Sequence, residues 1–253
     1  MATQSNLSNL LAIVHSLIIY IWIVIATFVF GLTAILFSFF SKTGNSVHLV
    51  ARVWGRSILW ASGLRVRVIG LENIDPTRSA IYMSNHQSNF DIPVFFSALP
   101  IQFRWLAKAE LFKIPIFGQG MRGAGYISID RSDTKSAIRS LAQAARNIRA
   151  GTSVLIFPEG TRSDDGALLP FKAGGFVMAV DAGVPIVPMA VHGTFAVMPK
   201  GGYMIRRQAV WLVVRPPIDT TAYSRKTKKE LMDCVHASIS EAMAVQPEGG
   251  GRA

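Results

Sequence analysis

The chain has 253 residues, half of them hydrophobic, and a formal net charge of +11. That length holds one sizeable domain plus an accessory segment, and the positive mean hydropathy is high for a freely soluble enzyme. The lone Cys234 excludes an internal disulfide, and no His/Cys spacing suggests a metal site.

The first 41 residues contain no Lys, Arg, Asp or Glu. Leu10 to Phe40 is almost continuously apolar, broken by His15, Ser16, Gly31, Thr33 and Ser38. As a helix this run measures roughly 46 Å against a hydrocarbon core of about 30 Å, so it can span with a tilt or break near Gly31 and lie partly in the interface. It lacks the positive n-region of a secretory signal and is too long for one, so a retained anchor is expected. From Val47 to Ser62, His48, Arg52 and Arg56 recur every four positions as a polar stripe on a helix. That pattern fits an interfacial helix or an ordinary surface helix. Residues 1–62 are therefore expected to form a membrane-anchoring helical segment.

All the charged residues follow position 41. Lys42, Arg52, Arg56, Arg65 and Arg67 come just after the apolar run, which by the positive-inside rule puts the main domain on the cytoplasmic face of the cell (inner) membrane. A second basic concentration comprises Lys200, Arg206, Arg207, Arg215, Arg225, Lys226, Lys228 and Lys229. Beside an apolar anchor, anionic headgroups of membrane lipids are better partners for it than nucleic acid.

After residue 62 strand and helix patterns alternate. Strands are expected at Arg65–Ile69, Ala80–Ser84, Arg104–Ala107, Tyr126–Ile129, Ser153–Phe157, Ile186–Val191 and Val210–Val214, and helices at Ile92–Leu99, Thr134–Ala150, Ala173–Asp181 and Thr227–Ala244. Ser132 or Asp133 can cap the second helix. The alternation predicts an α/β domain over 63–245 with a mostly parallel central sheet flanked by helices. Residues 246–253 read as a disordered tail.

Two motifs carry chemistry. In Asn85-His86-Gln87-Ser88-Asn89-Phe90-Asp91, a strand ends at a histidine and a helix begins soon after, so Asp91 can fold back onto the ring. Such a carboxylate fixes the imidazole tautomer and supports the imidazolium formed when the histidine acts as a general base. In Phe157-Pro158-Glu159-Gly160-Thr161-Arg162-Ser163, Pro158 and Gly160 break a buried strand into a turn, and Arg162 offers a planar fork suited to a phosphate monoester. Glu159 is unexpected in an anion site and reads as orienting Arg162 or another basic residue. No G-x-S-x-G elbow occurs, so direct attack by an acceptor hydroxyl is expected, without an acyl-enzyme.

These motifs, in this order, resemble the glycerolipid acyltransferases, most closely the 1-acylglycerol-3-phosphate acyltransferases. Asn85, His86 and Asp91 match the family's N-H-x-x-x-x-D motif, and Phe157 to Arg162 match F-P-E-G-T-R in full. The resemblance implies His86 and Asp91 as the catalytic pair, with Glu159, Gly160, Thr161 and Arg162 at the acceptor's phosphate. The block Gly125-Tyr126-Ile127-Ser128-Ile129-Asp130-Arg131 is similar to the family's middle motif and implies Arg131 as a second phosphate ligand; Lys108 is implied nearby. Val184-Pro185 resembles the start of an apolar fourth block, read as a wall beside the acyl chain or acceptor. The implied reaction acylates the 2-hydroxyl of lysophosphatidic acid to phosphatidic acid, with acyl-CoA or acyl-carrier protein as co-substrate and no other cofactor. An acceptor such as lyso-ornithine lipid, or an inert lipid-binding role, is the alternative.

Overall fold

The computed structural model describes residues 2–130 and 132–245, with side chains from residue 10 onward. Arg131 and the expected tail 246–253 lie outside the described residues. The sequence folds into helices α1 (Ala2–Ser38), α2 (Asn45–Ala61), α3 (Asp91–Ala98), α4 (Phe117–Gly123), α5 (Thr134–Arg149), α6 (Gly174–Ala182), α7 (Thr194–Val197) and α8 (Lys228–Ala244). The strands are β1 (Val66–Ile69), β2 (Ile81–Ser84), β3 (Arg104–Lys108), β4 (Ile127–Ile129), β5 (Val154–Ile156), β6 (Ile186–His192) and β7 (Val210–Val214).

The strands form one sheet in the order β1-β7-β6-β2-β5-β3-β4. β2 to β6 run parallel, whereas β7 is antiparallel to β6 and carries β1 with it. The mostly parallel α/β architecture expected from the sequence is what forms. Strand alternation sorts side chains to the two faces. Tyr82 points into a core shared with α2 and α3, while Ile81 and Met83 point into a second core with α5, α6 and α8. Burial on both faces explains why β2 and β5 read as short continuous apolar runs rather than alternating ones.

α1 is continuous through Gly31, so of the two alternatives, an unbroken helix and one broken near Gly31, the unbroken helix forms. It is a helix long and apolar enough to cross a membrane, from Leu10 to Ser38, yet it lies along the domain. Ser16 Oγ accepts from Ile205 N, Trp22 Nε1 donates to Ser57 O, and Trp54 Nε1 donates to Thr27 Oγ1. Further along, Ala34 and Ser38 approach Gly120 and Gly123 of α4 so closely that a Cβ on Gly123 would sit 2.6 Å from that of Ser38. The domain-facing side carries Ile19 and Ala26; the opposite side leaves Ile18, Val24 and Phe28 exposed.

α2 corrects one expectation. His48 belongs to no outward polar stripe: it is fully buried against Phe96, Phe103 and Tyr126, whose hydroxyl lies 3.3 Å from its Nδ1. Burial, helped by Arg104 and Arg52, lowers its pKa to about 3, so the ring stays neutral. Arg104, also buried, ties down the α1–α2 turn by donating to Thr43 O at 2.8 Å and to Asn45 Oδ1. Gly44 completes that turn at φ 74°, where a Cβ would meet Ala124 O at 2.7 Å. Replacing Arg104 with Leu removes these charge-assisted bonds and is expected to destabilise the protein by about 1.5–3 kcal/mol. The check is a lower Tm in detergent together with faster proteolysis at residues 39–44.

Candidate active site

Ligands of open parallel sheets collect at the carboxyl ends of the strands, and the predicted residues divide along that rule. His86 follows β2, Phe157–Arg162 follow β5, and Lys108 ends β3. Asp130, the residue before Arg131, follows β4 at the same edge. Val184 and Pro185 do not join them. They precede β6, whose Ile186 pairs with Ile81 at the start of β2, so they sit at the opposite edge of the sheet. Val184 packs among the α6 and α8 residues of the second core, and the expected wall beside the substrate is corrected.

Asp91 begins α3 and its side chain folds back as the spacing suggested. One oxygen, Oδ2, accepts from His86 Nδ1 at 2.7 Å, Gln87 N at 2.8 Å and Ser88 N at 2.9 Å. The carboxylate is fully buried, and Oδ1 has no hydrogen-bond partner among the described residues. An oxygen that only accepts requires the proton on Nδ1, leaving the Nε2 lone pair of a ring that borders the cavity. The ring stacks face to face on Phe157 at 3.8 Å and 6°, and Phe157 in turn stacks on Trp105.

Glu159 is corrected twice. It neither borders the cavity nor pairs with Arg162; it is 2% exposed, and its oxygens accept from His86 N at 2.6 Å and Leu169 N at 2.9 Å. Ser163 N donates in turn to His86 O at 2.8 Å. The second motif thus holds the backbone of His86 on both sides, which is how two segments seventy positions apart become one unit. Asn85 is also a brace, its amide exchanging two bonds with the backbone of Val191 on β6. Pro158 is buried and its carbonyl accepts from Lys172 N. Gly125, at φ 73°, turns the chain toward β4 beside Arg104.

The cavity beside His86 has a volume of about 470 Å³. Its lining includes Lys108, Thr161, Arg162 and Lys200, with Gly160, at φ 74°, in the turn before Thr161 and Arg162. Most of the remaining lining is apolar and comes from the helices, including Thr27, Gly31 and Ala34 of α1, Val47 and Ala51 of α2, and Met121 of α4. Sequence reasoning missed these wall residues. Their signal was the run of small side chains at Thr27, Gly31 and Ala34, one helical face. A second depression of about 250 Å³ lies beside Gly160 and Thr161, between Lys108 and Lys172. Among the described residues no group of three His, Cys, Asp or Glu side chains could hold a metal ion.

A histidine held by a buried carboxylate beside a largely apolar cavity, on the carboxyl edge of a parallel sheet, fits an acyl-transfer class of site. The acyltransferase family model matches residues 65–192, and the chain belongs to that family. It is similar to 1-acyl-sn-glycerol-3-phosphate acyltransferase BAT2, chloroplastic, of Brassica napus, at 35% identity over 78% of this chain, and spans 56% of that relative's length. The 1-acyl-sn-glycerol-3-phosphate acyltransferase of Pseudomonas aeruginosa is 31% identical over 91% of each chain. Among solved structures, the 1-acyl-sn-glycerophosphate (LPA) acyltransferase PlsC of Thermotoga maritima superposes with a TM-score of 0.78 at 27% identity, covering 95% of this chain and 99% of that one.

Burial raises the Glu159 carboxyl to about 7, against the opposing pull of the two backbone N–H groups. A carboxyl raised above its unfolded value binds more protons folded than unfolded, so its contribution to stability declines as pH rises from about 4.5 to 7. Glu159→Gln removes that titration. The Tm of the variant relative to wild type is expected to shift in the variant's favour between pH 5 and pH 8, read in parallel melts.

Proposed function

We propose that the protein transfers a fatty acyl group from a thioester to the 2-hydroxyl of 1-acylglycerol-3-phosphate, giving phosphatidic acid. The observation that carries this reading is the His86–Asp91 pair standing between an apolar channel and a mouth bearing Arg162 and Lys108. The channel takes the donor's acyl chain. Arg162 and Lys108, with Arg131 as the resemblance implies, take the acceptor's phosphate. The donor is the thioester of CoA or of an acyl-carrier protein, and the basic mouth suits the anionic character of either.

The acceptor hydroxyl gives its proton to His86 Nε2 as its oxygen attacks the thioester carbon. Asp91 holds the ring and balances the imidazolium. As the tetrahedral intermediate collapses, the C–S bond breaks and the leaving thiolate takes the proton back from Nε2. Among the described residues no cysteine or serine side chain lines the cavity; Ser88 Oγ is engaged with Met198 O. That supports direct transfer over an acyl-enzyme.

The same geometry supports seating on one leaflet. From Ser16 to Ser38, about 33 Å of helix, α1 is in contact with the rest of the protein, so that length cannot stand alone across a bilayer. With its outer side exposed and apolar, α1 lies in the interface together with α2. The catalytic domain then stands on the cytoplasmic face of the cell membrane, the side favoured by the basic residues that follow the apolar run.

His86→Ala is expected to lower acceptor-dependent thiol release by about 10²-fold or more. Wild type mixed with acyl-CoA alone is expected to show no thiol burst, whereas a burst near one equivalent would establish an acyl-enzyme. Arg162→Ala is expected to raise KM for the phosphate-bearing acceptor; an unchanged KM, with turnover of lyso-ornithine lipid instead, would move the assignment to a phosphate-free acceptor.

A further inference from the structure

Part of the second basic concentration, Lys200 to Arg207, has a specific place in the fold that the acyl-transfer chemistry does not explain. The segment 198–207 leaves α7 and crosses the domain-facing side of α1. Tyr20 Oη donates to Tyr203 O at 3.0 Å, and Ile205 N donates to Ser16 Oγ at 2.9 Å. The Arg207 side chain lies over the turn that ends α2, where a Cβ on Gly63 would meet its Nε at 2.9 Å. The first half of α1 is therefore flanked by this segment and by the end of α2.

Both flanks end in exposed aromatics with basic neighbours. Tyr203 is 81% exposed, and Trp60, 77% exposed, meets Trp22 of α1 edge-on. Arg206 and Arg207 are exposed, and among the described residues neither pairs with a carboxylate. Amphipathic rings settle at headgroup level, and guanidinium groups there are drawn to anionic lipid. We propose that residues 203–207 form a third membrane contact beside α1 and α2, with Tyr203 at headgroup level and Arg206 and Arg207 on anionic phospholipid headgroups. Continuity with the exposed apolar side of α1 selects a lipid surface over an acidic protein, which would have to share that side with the bilayer. The contact also reaches the site. Met198, at the root of the segment, accepts from Ser88 Oγ, while Ser88 N donates to Asp91.

This inference rests on the one-leaflet seating of α1 and not on the identity of the reaction. The test is flotation of the full chain with phosphatidylcholine vesicles and with vesicles containing about a third phosphatidylglycerol. Arg206→Gln/Arg207→Gln is expected to lose about thirtyfold of the preference for the anionic vesicles, with binding to phosphatidylcholine and turnover in detergent unchanged. The charge-matched Lys226→Gln/Lys229→Gln, on the α8 side of the sheet, is expected to lose little. Tyr203→Ser is expected to weaken binding to both vesicles several-fold. An unchanged anionic preference in the arginine variant, or an equal loss in the α8 control, would overturn the contact. So would unchanged vesicle binding with slower turnover only of the acyl-carrier-protein donor, which assigns the patch to that acidic partner. No wild-type binding to either vesicle would remove the seating of α1, and this contact with it.

Discussion

A single buried oxygen, Asp91 Oδ2, organises the site. Three donors converge on it within five residues, two of them backbone N–H groups and the third the Nδ1 of His86. The backbone donors fix the path of the loop between β2 and α3, and that path sets where the ring can be. With the ring held at one edge and stacked on Phe157 across its face, little freedom remains in the side chain. The histidine is positioned before any substrate arrives, which is what a base in a transition state that tolerates small errors poorly requires.

The second motif depends on the first through the histidine backbone. Glu159 accepts from His86 N and Ser163 donates to His86 O, so the turn bearing Arg162 cannot move without moving His86. A glutamate buried this way opposes its own ionisation, and its place beside the proposed anion site has a structural explanation rather than a ligand-binding one. α1 supplies the remaining constraint. One side of it faces outward and apolar, while the other lines the cavity beside His86. In the proposed reading, a helix that is both membrane seat and cavity wall gives an acyl chain a path from lipid to His86 through apolar surroundings.

Much of this was legible in the sequence where local pattern and burial agree. β7 has the bounds expected from its apolar run, and α5 starts at the residue the Asp133 cap marks, with Asp133 Oδ1 accepting from Lys135 N. The His86–Asp91 contact was readable because a strand end and a helix start fixed the geometry between them. Other features depend on what lies far away in the chain. α4, with Gly118, Gly120 and Gly123, has poor helix propensity and forms where Gly120 and Gly123 let α1 approach and Gly118 lets the Phe112 backbone approach. His48 looked like part of a polar stripe because nothing local reveals Tyr126 across from it. The position of Val184-Pro185 depends on which end of β6 they occupy, and an apolar run carries no sign of that.

General-base transfer by His86 depends on which of its nitrogens carries the proton, and ¹⁵N NMR of the histidine-labelled protein in detergent reads this directly. The signal of His86, assigned by its loss in a His86 variant, is predicted to show a protonated Nδ1 and a bare Nε2 in wild type at neutral pH. The opposite tautomer, with the proton on Nε2, would leave no lone pair toward the acceptor hydroxyl and would contradict general-base transfer by this pair.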